Sequence, residues 1–434
     1  MNQALPLNVQ RYVAPDSARA RRFAGLIRSN RFVLLIAIVL SILGPEIFHP
    51  FVASNYEWAR AYHHDFSGIA TSIISIVIAH FGLQKVSNVP LVDDKIAIAP
   101  AFFVAYAFSI LLIAFAQIEF DRYHLVTSFV VAVAWYYFIA IMRARFSAPR
   151  LAFVGMMEPG DDLQFTQVEW VPLFEPVLPQ DVLGIVFDKR QSLSPSYERL
   201  FARAVLRGIP VYEATYLREM VSGRVQLHIR PEEEFGALFP SQPYLRIKRL
   251  IDIALALPAM VLIAPVIALF AVLIRLESPG PAIFRQVRIG YQGRRFTCYK
   301  LRSMRHDCAG PDFTAELDPR VTRIGRFIRK TRIDELPQVF NILKGEMCWI
   351  GPRPEALSLA RSYDREIPWY GYRHLVRPGI TGWAAVHQGN VALVDAATRK
   401  LEYDFFYIKH FSPWLDFLIV LMTIRTVLTG FGSR

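Results

Sequence analysis

Apolar residues fall into long runs in the first third of this chain and into shorter, mixed patterns after it. Runs at 32–48, 66–83, 96–116 and 125–142 are each long enough to cross about 30 Å of hydrocarbon as a helix. They predict a four-helix transmembrane bundle over 32–145. After Pro149 the pattern shortens. Residues 151–156, 184–188 and 209–212 read as buried strands and 197–207 as a helix, which predicts a small Rossmann-like α/β domain over 146–240. Its first strand lacks a dinucleotide fingerprint, because Gly155 is followed by Met156, Met157, Glu158 and Pro159. An acidic, proline-containing linker at 231–243 then leads to a third domain, over 241–434.

That domain opens on a fifth apolar run, 250–274, interrupted by Pro258 and Pro265. Taken as a span it would carry everything after it across the membrane. Charge argues otherwise. Lys248 and Arg249 precede the run, and residues 275–335 hold fourteen Lys and Arg against seven acids. Basic flanks on both sides suit a kinked helix that enters and leaves on one face, a re-entrant helix. A later stretch, 411–428, opens at Trp414 and is broken by Asp416, Thr423 and Arg425, so an amphipathic helix lying in the interface is expected. The fold class expected is therefore a membrane protein, α plus α/β, with a mainly α third domain.

The same charge rule orients the bundle. Arginines gather before the first run (Arg11, Arg19, Arg21, Arg22, Arg28, Arg31) and after the fourth (Arg143, Arg145, Arg150), which puts both ends in the cytoplasm and fits residues 1–31 as a cytoplasmic leader rather than a signal peptide. A net charge of +12, with a mean hydropathy of +0.28, points to lipid head groups and phosphorylated substrates rather than nucleic acid. Cys298, Cys308 and Cys348 show no zinc spacing and read as reduced thiols. His63, His64 and Asp65, beside Trp58 and Tyr62, read as interfacial residues of an outer loop. No facing polar pair is legible within the runs, which argues against a transporter or flippase.

Chemistry concentrates in the stretch 329–354, where Asp334 and Glu335 adjoin Arg329, Lys330 and Arg332. Leu336, Val339, Phe340 and Leu343 recur at helical spacing, and Lys344-Gly345 makes a stop. The spacing predicts a helix that starts at Asp334 as N-cap, with Pro337 in its first turn. Read alone, Asp334 is a capping residue.

The motif series alters that reading. IKRLIDI, GPAIFRQVRIG, YKLRSMRHD, DPRVTRIGRFIRKTRIDELPQ, NILKGEMCWIGPRP and VRPGITGWA follow one another from about residue 246. Together they resemble the catalytic domain of the bacterial polyprenyl-phosphate phosphoglycosyl transferases, the monotopic sugar-transferase family. The four runs and the α/β domain in front resemble the module of its large members. The resemblance implies transfer of a sugar 1-phosphate from a UDP-sugar, glucose or galactose, to undecaprenyl phosphate. UMP leaves, an aspartyl-phosphosugar intermediate forms, and exopolysaccharide or O-antigen synthesis begins. It further implies Mg²⁺ on Asp334 and Glu335, Asp334 as nucleophile, and Glu335 in metal binding or proton handling. Arg329, Arg353 and Arg377 match family arginines, and Lys300, Arg302 and Arg288 are expected on polyphosphate or lipid head groups. The setting implied is the bacterial inner membrane, with the catalytic domain on its cytoplasmic face. Arg332, Glu346, Cys348 and Ala385 depart from commoner family residues and leave sugar choice open. Oligomeric state, a homodimer included, is also open. The competing reading is an inactive membrane scaffold or regulator.

Overall fold

The computed structural model describes residues 25–429 apart from 28, 56–65, 88–93, 120, 147–149, 155–168, 180–181, 183, 190–192, 226, 228–239, 306–317 and 389–393. Most of the predicted leader, the His63-His64-Asp65 triplet, Cys308 and most of the linker lie outside the described residues. The chain divides into two compact units, 1–222 and 223–434.

In the first unit, α1 (Asn30–Asn55), α2 (Phe66–Ser87), α3 (Asp94–Phe115) and α4 (Arg122–Phe146) pack against one another. All four are long and apolar enough to cross a membrane. Their outward residues are large and apolar, among them Leu35, Phe66, Phe103 and Val130. The interior corrects the expectation of no facing polar pairs. Ser72 Oγ meets Ser128 Oγ at 2.8 Å, and His80 Nδ1 meets the Tyr136 hydroxyl at 2.6 Å. Short polar side chains within apolar runs leave the hydropathy profile almost unchanged.

A four-stranded parallel sheet follows, with strand order β2 (Glu169–Leu173), β1 (Arg150–Val154), β3 (Gly184–Phe187), β4 (Val211–Glu213). Alternation along the strands supplies both of its faces. Ala152, Val154 and Ile185 pack on Leu200 and Ala204 of α5 (Pro195–Leu206), whereas Leu151 and Val186 pack with Ala214 and Leu217 of α6 (Ala214–Ser222). Strand β2 was missed from sequence, since Pro172 and a polar start mask its pattern.

The second unit is built around α7 (Gln242–Glu277), a continuous helix holding Pro258 and Pro265 and also apolar enough to cross a membrane. Both of its ends dock on the same unit. Near its start, Arg249 donates to the carbonyls of Ile342 and Leu343, and Lys248 pairs with Asp416. Near its end, Ile274 packs on Leu301 and Ile328. Between these anchors Leu257, Val261, Leu262 and Leu269 are exposed.

An antiparallel hairpin, β5 (Ile283–Ile289) and β6 (Arg295–Leu301), crosses this frame. Beyond it come α8 (Arg323–Lys330), a 3₁₀ segment (Ile333–Gln338), α9 (Val339–Lys344), β7 (Cys348–Ile350), α10 (Leu357–Glu366), β8 (Gly379–Thr381), α11 (Trp383–Gln388), α12 (Val394–Lys409) and α13 (Pro413–Thr429). The last helix is pinned by Asp416, which accepts from Tyr244, Lys248 and Tyr407, and by fully buried Leu415, Leu418 and Ile419. Thus the third domain carries a hairpin and a two-stranded parallel β7–β8 pair that its sequence did not disclose.

Candidate active site

Two structural devices bring the acids and arginines together. The first is a pair of shared caps on α8. Thr322 Oγ1 accepts from the Gly325 amide at 2.9 Å, and Glu277 at the end of α7 accepts from the Arg323 and Ile324 amides. Any side chain at Gly325 would force the backbone to shift, because a Cβ would lie 2.0 Å from the Ser303 carbonyl oxygen. The second is a crossing of the GPRP and VRPGITG segments. A Cβ on Gly379 would lie 2.1 Å from the Gly351 nitrogen, and one on Gly382 would lie 2.1 Å from the Gly351 oxygen. Only bare backbone permits this approach, and Arg353 leaves the crossing toward the acids.

The helix predicted to start at Asp334 begins differently. Arg332 sits in the left-handed region (φ 59°), and the chain then makes a 3₁₀ segment before α9. Asp334 is therefore the second residue of that segment rather than an N-cap, because Pro337 delays the α-helical bonding pattern to Val339.

Both acids are buried. Glu335 takes the cations. Arg353 reaches both of its oxygens, Lys300 Nζ lies 3.0 Å from Oε1, and Arg332 lies 3.9 Å away. Burial by itself would raise its proton affinity, yet Arg353 and Lys300 outweigh burial and hold the Glu335 carboxyl well below its ordinary range. Asp334 receives the opposite treatment. Burial first, then the charge of Glu335, push its carboxyl up, and Lys300, Arg353 and Arg329 only partly offset them. Two adjacent acids with proton affinities driven apart mark a division of roles. Asp334 Oδ1 is buried with no hydrogen-bond partner among the described residues.

Of the other expected residues, Arg288 flanks the cluster, donating to the Pro354 carbonyl and, at 2.9 Å, to Gln286. Arg302 and Arg377 stand apart. Arg302 is buried and donates to the carbonyls of Pro279 (2.7 Å), Ser278 (2.6 Å) and Ile274 (3.3 Å). Its fork closes the C-terminal end of α7 by bridging the carbonyls of Ser278 and Pro279, just past the last helical residue. Arg377 donates to the Gly345 carbonyl at 3.1 Å and lies over the Tyr291 ring at 5.0 Å.

A supporting network was not seen in the sequence. Arg373 donates to the Arg353 carbonyl at 2.9 Å and pairs with Asp404 at 2.8 Å, and Glu355 pairs with both Arg373 and Lys400. Glu355 follows GPRP directly, but its partners lie far along the chain. Among the described residues no group of three or more His, Cys, Asp or Glu is placed to hold a metal.

Residues 243–430 match the family model described as bacterial sugar transferase. The chain is 41% identical to the UDP-N-acetylgalactosamine-undecaprenyl-phosphate N-acetylgalactosaminephosphotransferase of Aeromonas hydrophila, over 84% of this chain and 87% of that protein. It is 41% identical to the UDP-glucose:undecaprenyl-phosphate glucose-1-phosphate transferase of Caulobacter vibrioides, over 46% of this chain and 78% of that protein. The Escherichia coli protein of the same name is 42% identical over 41% of this chain and 39% of its own length. Motif series, matched domain and a relative aligned over most of both chains agree, and the chain belongs to the bacterial sugar transferase family.

Proposed function

We propose that this membrane enzyme transfers a sugar 1-phosphate from a UDP-sugar to undecaprenyl phosphate, with Asp334 as the nucleophile. The observation that carries the reading is the split within the acid pair. Glu335 is neutralised by Arg353 and Lys300, whereas Asp334 keeps an unpartnered oxygen and a raised proton affinity, which makes its ionised form the stronger nucleophile.

In the first step a carboxylate oxygen of Asp334 forms a bond to the β-phosphorus as the bond from that phosphorus to the bridging oxygen breaks, releasing UMP. In the second, a phosphate oxygen of undecaprenyl phosphate attacks the same phosphorus and frees Asp334. Lys300, Arg353 and Arg329 supply positive charge beside the reacting phosphoryl group. A carboxyl held far below its ordinary range is a weak base near neutrality, so Glu335 orients Arg353 and Lys300 rather than accepting a proton.

The unpartnered Asp334 oxygen fits one hard cation such as Mg²⁺, completed by phosphate oxygens of the donor. Glu335 fits that task less well, as both its oxygens face cations. When bound, such an ion would neutralise the diphosphate.

The aligned relatives support a hexose or N-acetylhexosamine donor, which widens the expected glucose or galactose to include N-acetylgalactosamine. We place the active site on the cytoplasmic face of the inner membrane. An even number of bundle spans and the docking of both ends of α7 on one unit support a re-entrant α7. The test is UMP release from UDP-glucose, UDP-galactose and UDP-N-acetylgalactosamine, with and without undecaprenyl phosphate, plus mass analysis of the Asp334 peptide after donor alone. Full turnover by Asp334→Asn would sink the assignment.

A further inference from the structure

We propose that Arg373 is a positioning residue for the reaction, held by Asp404 and Glu355 so that it fixes the backbone from which Arg353 reaches the acid pair. The inference rests on the assignment of Asp334 as nucleophile with Arg353 beside the reacting phosphoryl group. Arg373 lies outside the charged motifs that mark the site in the sequence, and it touches neither acid of the pair.

The GPRP segment cannot hold its own shape. Pro352 and Pro354 carry no N–H, so the segment is held through its carbonyls, and three in a row are taken. The Pro352 carbonyl accepts from the Gly379 amide at 3.0 Å, that of Arg353 from Arg373 Nη2 at 2.9 Å, and that of Pro354 from Arg288. The first is a backbone bond of the crossing, and the other two are made by arginine side chains. The middle carbonyl matters most, because it belongs to the residue whose guanidinium reaches both oxygens of Glu335. A rotation there swings the whole Arg353 side chain, and a misplacement of about 1 Å can cost about a hundredfold in rate.

Arg373 is itself aimed from several sides. It lies in a 3₁₀ turn, Tyr370–Leu375, and is buried. Nη1 donates to the Tyr370 hydroxyl at 2.9 Å and lies 3.6 Å from Glu355, while Nη2 lies 2.8 Å from Asp404. Lys400, one turn before Asp404 on α12, pairs with Glu355 and holds that carboxylate in turn. A guanidinium is planar, so acids fixed beside it fix the direction of its N–H groups. Arg373, Lys400 and Asp404 are all buried, and buried ion pairs add little net stability because desolvation offsets their attraction. Packing α12 does not require them, since its Leu401, Phe405 and Phe406 are fully buried already. What the network supplies is direction.

The test uses the purified full-length protein, UMP release from UDP-glucose, UDP-galactose and UDP-N-acetylgalactosamine with undecaprenyl phosphate, and Tm. Arg373→Gln is expected to lower kcat at least tenfold with KM changed less than threefold, since Arg353 acts on charge in the transition state. In an Arg353→Met background the same substitution should change kcat less than twofold, because the residue it positions is gone. An equal loss of kcat in both backgrounds, or a kcat within twofold of wild type for Arg373→Gln, overturns the proposal. A second cycle reads the coupling without turnover. Arg373 connects to Glu335 through Arg353, so Glu335→Gln should lower Tm by at least 3 °C less in Arg373→Gln than in wild type. Tm losses that add within 2 °C overturn the proposal. If the wild type releases no UMP from any donor, the functional assignment fails, and the Tm cycle still decides whether Arg373 aims Arg353. Should Arg373→Gln fail to fold, Asp404→Asn replaces it in both cycles, with a severalfold loss of kcat that vanishes in the Arg353→Met background.

Discussion

Replacing Arg353 with methionine tests the acid pair most directly. The side chain is largely covered, with 15% of it exposed, and reaches both oxygens of the buried Glu335, with Lys300 as the next cation at 3.0 Å. Methionine fills similar volume without charge, so the main loss is electrostatic. Removing one partner of a buried pair costs about 3–5 kcal/mol, because the other charge stays behind uncompensated. For a unit of this size that lowers Tm by about 6–20 °C. The effect should depend on pH in a set direction. Glu335 has a depressed folded-state proton affinity, so its contribution is present above the unfolded value of about 4.3 and is lost as pH falls through the lower folded value. The gap between wild type and Arg353→Met should therefore close as pH falls below about 4. Asp334 loses one of the cations that offset its burial, so the acid limb of UMP release should move to higher pH. Adding Glu335→Gln to Arg353→Met should restore at least half of the lost stability, while activity stays low. A Tm within 2 °C of wild type for the single variant, or no recovery in the double, would refute the reasoning.

Other substitutions separate reaction from framework. Asp334→Asn should abolish UMP release yet raise Tm, because a raised folded proton affinity means that ionising Asp334 opposes folding increasingly as pH rises from the unfolded value of about 3.9, and thermal melts at pH 7 read this. Arg302→Met should lower stability by about 3 kcal/mol or more by stranding buried carbonyls, with KM for the UDP-sugar unchanged, as denaturation and steady-state kinetics would show. Gly325→Ala should cost about 1–3 kcal/mol and raise KM through displacement of α8 and Arg329, in the same two assays. In a Cys308→Ser background neither buried thiol should react with maleimide in the folded protein, and burial pushes that of Cys348 up to about 12.

The sequence disclosed whatever depends on runs and neighbours. The long apolar segments, the strands at β1 and β3 and the acid pair were legible because hydrophobic period and adjacency are local properties. What escaped it depends on long-range partners. Arg302 and Lys300 lie two residues apart in one basic motif, a spacing that shares one face within a strand, yet Lys300 lies inside β6 and faces Glu335 while Arg302 lies just past its end and closes the end of α7. The role of Asp334 within a 3₁₀ segment depended on Pro337 and on Arg332 entering the left-handed region. Arg373, Glu355, Lys400 and Asp404 are unremarkable as separate charged residues and become a network only when α12 packs behind the GPRP crossing.

The two-ended docking of α7 also acts as a height gauge. Arg249 fixes its entry through the carbonyls of α9, and Arg302 with Glu277 fixes its exit beside β6 and α8. The acids at 334 and 335 lie between those two fastenings in the same rigid frame. With α7 re-entrant, as proposed above, the depth of the helix would dictate how high the carboxylates stand above the lipid. A one-residue insertion between Pro258 and Pro265 would rotate one fastening by about 100° against the other, and would mis-set reaction height without touching any residue of the site.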